Sequence, residues 1–376
     1  MATPWHFLTG EYPPDHGGVS DHTEQLARAL ARAGEEVHVW VPGGGAQTKE
    51  LGVRVHRLPE GFRPSGLDSL TEQSLRLKGP KRWFIQYVPQ GFGLRGANLP
   101  FVNWVSQRPR EDAVWVLFHE VAMAWGSPKE SLLAAMQYVM AGTLGVRLDR
   151  AFVSIPAWAD RLPGKIAGKA IWLPVPSNLP VTRPALAGAA LRKSLGLADH
   201  CWLGHFGTYS PWLRETLTGL LPPLLTEDGT RAVLLLGRGG DVFARALQAR
   251  HPALADRICA PGELPGPETS ARLAACDVLL QPFPDGASSR RTSLMASLAL
   301  GMPVVSNLGH LSEPLWTASG ALVLAPSPEL TSLQTAAREL LGHPDRWAVL
   351  GKAAAALYES TFSLERVVRT LQEQTL

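Results

Sequence analysis

Pro282-Phe-Pro-Asp-Gly-Ala-Ser-Ser-Arg-Arg-Thr-Ser-Leu-Met-Ala-Ser-Leu-Ala-Leu-Gly-Met-Pro-Val-Val305 decides how the rest of the chain is read. The apolar run at 278–280 enters it as a buried strand. A loop rich in Pro, Gly and Ser follows. Residues 292–300 then predict a short helix, stopped by Gly301 and Pro303. Val304-Val305 opens the next strand. A loop of this kind sends backbone N–H groups and a positive helix end into the space past the strand ends. Arg290-Arg291 stand at that helix start, where the macrodipole favours Asp or Glu instead. A bound anion accounts for them, and a diphosphate matches the guanidinium fork. The competing reading puts the arginines on a solvated face or pairs them with Asp285 or Glu313.

The alternation extends outward in both directions. Upstream, 202–206 reads as a strand ending in Gly207-Thr-Tyr-Ser-Pro211, with a helix over 213–221. The segment 232–236 is a strand ending in Gly237-Arg-Gly-Gly240, and 257–260 is another, with Gly262 in the loop after it. Downstream, Gly309-His-Leu-Ser-Glu-Pro314 leads to a strand at 321–324. The first half has the same grammar. A strand at 5–8 gives way to the loop Gly10-Glu-Tyr-Pro-Pro-Asp-His-Gly-Gly-Val-Ser20. A helix over 20–33 follows, with Val19, Thr23, Leu26 and Leu30 on one face and Gly34 as its C-cap. Val37, Val39 and Val41 alternate as the next strand. Strands at 53–58, 83–88 and 151–155 follow, and one at 114–118 delivers His119 and Glu120 at its end. The segment 174–184 carries four prolines and reads as a linker. The expected fold class is therefore α/β, with two doubly wound domains in tandem over 1–178 and 185–360. The dinucleotide spacing G-x-G-x-x-G is absent from the first turn, which removes the main support for a dehydrogenase.

Bulk properties narrow the class. The chain has 376 residues, 45% hydrophobic and 18% charged, which is globular without a low-complexity block. A net charge of +3 with no Lys/Arg stripe argues against nucleic acid. Cys201, Cys259 and Cys276 form no metal or redox spacing, so a reduced, cytoplasmic setting is expected. The N-terminus lacks signal-peptide character, and no apolar run reaches the roughly 20 residues that span a bilayer. Twelve tryptophans leave peripheral contact with the inner membrane open.

With these pieces placed, the chain resembles family 4 of the nucleotide-sugar-dependent glycosyltransferases. The resemblance rests on Glu11-Tyr-Pro-Pro-Asp-His-Gly-Gly-Val-Ser20, His119 after a buried strand, Cys276-Asp-Val-Leu-Leu-Gln-Pro282, Gly301-Met-Pro-Val-Val305 and Gly309-His-Leu-Ser-Glu313. It implies a GT-B fold, two Rossmann-like domains with a cleft between them, and a C-terminal helix over 361–376 packing back on the first domain. It also implies retaining transfer from a nucleotide-diphosphate sugar to a glycan, lipid-linked or small-molecule acceptor, with no cofactor and no metal. The sequence departs from the family where its two glutamates, eight positions apart, would fall at Ser288 and Ala296. It departs again at Thr208, where a basic residue is usual, while Arg214 keeps the second basic position.

The resulting expectations are specific. His119 and Asp285 are the catalytic candidates. Gly17, Gly18, Arg214, Gly262, Ser288, Ser289, Arg290, Arg291, Thr292 and Glu313 are the donor-binding ones. His16 and Glu120 are placed on the acceptor side. No Asp-x-Asp pair exists, so the charge of a leaving diphosphate falls to arginines and helix-end amides. Two alternatives stand beside the transferase. One is a catalytically silent nucleotide-sugar-binding partner protein, favoured by the missing acidic pair. The other is a sugar-nucleotide epimerase of the same fold, which needs acidic groups in the cleft.

Overall fold

The computed structural model describes residues 3–15, 17–45, 47–123, 125–181, 190, 192–193 and 197–375. The chain divides into two units, Met1–Val175 with Val367–Leu376, and Pro176–Arg366. Each is built around its own sheet with helices on both faces.

Among the described residues, the first unit holds eight strands: β1 (Trp5–Thr9), β2 (Val37–Pro42), β3 (Thr48–Glu50), β4 (Val53–Leu58), β5 (Arg82–Tyr87), β6 (Ala113–Phe118), β7 (Arg150–Val153) and β8 (Ile171–Trp172). Their spatial order is β3-β4-β2-β1-β5-β6-β7-β8, parallel apart from the edge pair β3 and β4. The chain winds outward from β1 through β2 to β4, then returns to β1's other side with β5. That reversal between β1 and β5 is the place where open α/β sheets bind ligands, beyond the carboxyl ends of the strands. β1 and β5 are buried along their whole length, as expected of parallel strands covered on both faces. β2 reads in the sequence as apolar alternation, and the residues between its valines are buried too. His38 and Trp40 stack with His6 and His56 in a ladder of rings across β1, β2 and β4.

The second unit holds β9 (Cys201–Phe206), β10 (Arg231–Leu236), β11 (Ile258–Cys259), β12 (Val278–Leu280), β13 (Val304–Asn307) and β14 (Val323–Ala325). The order is β11-β10-β9-β12-β13-β14, all parallel, and the winding reverses between β9 and β12. Its core joins Leu203, Val233, Leu235, Val278, Leu280 and Val305 of the sheet to leucines of the flanking helices. The two-domain doubly wound α/β class expected from the sequence is the one observed. One element is longer than its sequence suggests. The helix expected over 213–221 runs from Pro211 to Glu227, straight through Pro222 and Pro223. Leu220, Leu221, Leu224 and Leu225 are all buried on it. Their burial stabilises by about 1.5–3 kcal/mol each, more in sum than two interior prolines cost. Among the described residues, no helix is long and apolar enough to cross a membrane.

Candidate functional site

The stretch that organises the sequence lies at the reversal of the second sheet. After β12 the loop 281–291 turns over the strand ends and is clamped by Asn307, at the end of β13. The Asn307 Oδ1 accepts from Phe283 N at 2.8 Å and its Nδ2 donates to Phe283 O at 2.8 Å. Ala287 N donates to Asn307 O at 2.8 Å, and Leu311 N to Asp285 O at 3.0 Å. Gly286 has φ +91°, and a Cβ there would come within 2.3 Å of Gly309 N and of Ser312 Oγ. A Cβ on Gly309 would reach Asp285 C at 2.4 Å. The two loops therefore meet backbone to backbone, which only glycine permits.

This packing fixes the charges. Asp285 Oδ2 accepts from Arg290 Nη2 at 2.6 Å, and Oδ1 accepts from Arg291 Nη2. Burial pushes the Asp285 carboxyl up, but the Arg291 charge and the hydrogen bonds from both arginines outweigh it and hold it below its ordinary value. The competing sequence reading thus holds in part: the arginines share Asp285. Both guanidinium groups nevertheless remain partly exposed. They precede the helix Thr292–Ala299, whose N-cap Arg291 makes no side-chain capping bond. Glu313 is buried. It accepts from Ser289 N at 2.9 Å, from Ser289 Oγ and from Trp316 Nε1 at 2.6 Å, so it braces the loop from below. Ser288, where the family's first glutamate would fall, is fully buried, and its Oγ has no partner among the described residues. The side chain of Gln281 and the Nε2 of His205 are likewise buried without a partner, each at a strand end beside this reversal. Buried polar atoms without partners are uncommon.

The remaining candidates of this unit are spread around the same strand ends. Arg214 is exposed near the start of the helix Pro211–Glu227, with its Nε donating to Tyr209 O at 2.8 Å. Gly262, at φ +85°, sits in the loop after β11 with open space where a Cβ would be. Thr292 is half-buried at the first position of its helix.

In the first unit the loops after β1 and β5 also touch through glycine, since a Cβ on Gly10 would lie 2.4 Å from Gly91 O. Gly17 and Gly18 are the glycines expected to let the backbone approach a phosphate or sugar closely. At Gly17 the structure places an internal carboxylate instead. Glu11 Oε1 accepts from Ser20 N at 3.1 Å, and a Cβ on Gly17 would fall 2.1 Å from that oxygen. Gly18 is exposed with open space around it. His16 lies outside the described residues.

His119 follows β6 and is 8% exposed. Its Nε2 meets Gln86 Oε1 at 2.9 Å. With that oxygen as acceptor, the ring proton sits on Nε2 and the Nδ1 lone pair is left to accept. The His119 carbonyl is held by Trp158 Nε1 at 2.7 Å and Ser154 Oγ at 3.4 Å. Burial, reinforced by neighbouring His22, holds the imidazole well below its ordinary value, so it is neutral near pH 7. Glu120 is half-buried beside it. Sequence reasoning missed Glu11, His22, Gln86 and Asn307. A histidine on the apolar stripe of the first helix was the available sign of His22. Among the described residues, no three His, Cys, Asp or Glu side chains come together in a way that could hold a metal ion.

Comparison with known proteins agrees with this architecture. Residues 17–176 match the model of the glycosyl transferase 4-like domain. No curated protein matches the sequence. Among solved structures, sucrose-phosphate synthase from Thermosynechococcus elongatus superposes with a TM-score of 0.77 at 18% identity, covering 99% of this chain and 98% of that one. Anabaena HepE in complex with UDP-glucose gives 0.67 at 17% identity, covering 99% of each chain. WaaG, a glycosyltransferase involved in lipopolysaccharide biosynthesis, gives 0.62 at 15% identity, covering 98% of each.

Proposed function

We propose that this chain, which carries a glycosyl transferase 4-like domain in its first unit and the two-Rossmann-domain GT-B fold throughout, is a retaining, metal-independent glycosyltransferase. The observation that carries the reading is the loop 281–291 of the second unit. There two partly exposed arginines share one carboxylate in front of a helix start whose N-cap makes no side-chain bond. A nucleotide diphosphate adds negative charge beside the two partly exposed guanidinium groups and accepts from the amides that open the helix. Arg290, Arg291 and Arg214 are assigned to its oxygens, with the amides that open the helix Thr292–Ala299 behind them. In the reaction the bond from the sugar carbon to the diphosphate oxygen breaks and the oxygen keeps the electron pair. The arginines stabilise that charge, and the acceptor hydroxyl bonds to the same face of the sugar carbon as it gives its proton to the departing diphosphate oxygen.

Asp285 acts by aiming the arginines, and Glu313 by bracing Ser289. The first unit is assigned the acceptor, a glycan, lipid-linked or small-molecule alcohol, together with His119. A neutral imidazole with a free Nδ1 lone pair suits a sugar hydroxyl, which donates into it. The working place is the cytoplasm, with peripheral membrane contact in the case of a lipid-linked acceptor. The test is turnover of purified protein with UDP-, GDP- and ADP-sugars in the presence of a chelator, following free nucleotide and the anomeric configuration of the product. Inversion, or dependence on added metal, contradicts the mechanism. A second reading, a silent nucleotide-sugar-binding partner, is favoured by Ser288 and Ala296, both buried where the family has acids. It is the outcome if nucleotide binds and no sugar leaves.

A further inference from the structure

We infer that His22 is a positioning residue for His119, holding that ring in place for the sugar hydroxyl it receives. The inference rests on the proposed transfer reaction. His22 lies in the second turn of the helix Gly18–Arg32 and is 2% exposed, with both ring nitrogens buried and without a partner among the described residues. Leaving buried polar groups unmet is unfavourable, and an apolar side chain filling the same space avoids the penalty. Stability therefore does not explain an imidazole at this position.

What the ring touches does explain it. It meets the His119 ring at a centroid distance of 5.2 Å and an interplanar angle of 79°. Gln86, from β5, holds the same ring through Nε2 at 2.9 Å, and Trp158 and Ser154 hold the residue's carbonyl. His119 is thus fixed by three separate parts of the first unit: β5, the first helix and the segment after β7. Gln86, Trp158 and Ser154 are uncharged, Glu120 is next in the chain, and His22 is the titratable side chain whose charge bears on the ring. A proton on either imidazole works against a proton on the other, and both are deeply buried. A phenyl ring would fill the space but would set a C–H edge where the imidazole sets its nitrogens, and would carry no charge against His119. The helix that carries His22 is set in place by the Glu11 bond to Ser20 N, which any side chain at Gly17 would evict. The glycine-rich first loop then serves to place His22.

His22→Phe separates this role from packing. The variant is expected to melt at a higher temperature than wild type, because two unmet nitrogens are gone. Its kcat for donor turnover should fall roughly ten- to a hundredfold through ring misplacement, with nucleotide affinity unchanged. The acid limb of its pH profile should move to higher pH, as His119 becomes easier to protonate. Nitrogen NMR of the His119 ring supplies a readout that needs no turnover. In wild type it should show a neutral Nε2–H tautomer across pH 5–8 (a range covering the ordinary histidine titration), and in the variant a shifted titration. Wild-type turnover together with an unchanged His119 spectrum overturns the inference. So does equal loss of stability, nucleotide affinity and turnover. If His22→Phe does not fold, wild-type protein decides: a His119 that titrates like an exposed histidine contradicts it. If no donor is turned over by wild type, the proposed function fails, and the His119 spectra still decide whether His22 sets the ring.

Discussion

At the scale of single residues, His119 and the two arginines carry separate burdens. His119→Ala should lower turnover by orders of magnitude more than it lowers nucleotide affinity, because in the proposed reading the ring is assigned to the sugar and the diphosphate to the loop 281–291. Steady-state kinetics beside calorimetric binding checks this, and equal losses in both would return His119 to a structural role. For the arginines the structure revises what the sequence suggests. At a bare helix start each would oppose the dipole, so removal should stabilise the apo protein. Because each is bonded to the part-buried Asp285, removal weakens an ion pair instead, and Arg290→Ala should not raise the melting temperature. His119 and the arginine pair were legible because each sits where local rules alone make it odd, one at the end of a buried strand, the other at the wrong end of a helix. Glu11, Gln86 and Asn307 were not legible. Their roles come from partners 9, 33 and 24 positions away in sequence, and polar residues in a loop or strand carry no local mark of such a contact.

At the scale of elements, strand and helix order could be read from apolar runs and glycine stops, since a parallel sheet covered on both faces needs both. The helix Pro211–Glu227 shows where local signals fail. Pro223 has no N–H to give the carbonyl of Gly219. That carbonyl instead accepts from Gln334 Nε2, at 3.0 Å, on the neighbouring helix Leu330–Leu341. Gly219 itself lets that helix approach, as a Cβ there would fall 2.4 Å from Leu330 Cδ2. Gln334→Ala should therefore destabilise the second unit by about 1 kcal/mol, the net worth of a hydrogen bond. In a Pro223→Ala background, where the helix supplies its own donor, the same change should cost little. A double-mutant cycle from urea unfolding reads the difference, and equal costs in both backgrounds would show that Gln334 does not stand in for the missing N–H.

At the scale of the whole molecule, the distribution of buried histidines separates the two units. His6, His22, His38, His56 and His119 of the first unit all lie below their ordinary value, chiefly through burial, His22 and His56 at about 4. In the second unit His205 does so, also at about 4. A histidine with a depressed folded value takes up its proton more readily when unfolded. Stability is therefore intact above pH 6.5 and is lost as pH falls from there toward the folded values. Each such group contributes a slope of about 1.4 kcal/mol per pH unit inside that window. The first unit should consequently unfold at markedly lower temperature at pH 5 than at pH 7.5, while the second shifts far less. Calorimetric scans should resolve one transition moving away from the other. Two transitions that fall in parallel on acidification would contradict the prediction.

The central claim, that the loop 281–291 is a diphosphate site, is tested most directly by calorimetric titration of UDP, GDP and ADP into wild type, Arg290→Ala, Arg291→Ala and Arg214→Ala, with the matching nucleosides as controls. The account predicts that at least one arginine variant loses about 1.5–3 kcal/mol of diphosphate binding, the range for a hydrogen bond to a charged group, while nucleoside binding is unchanged. Diphosphate binding at wild-type strength in all three variants would contradict it.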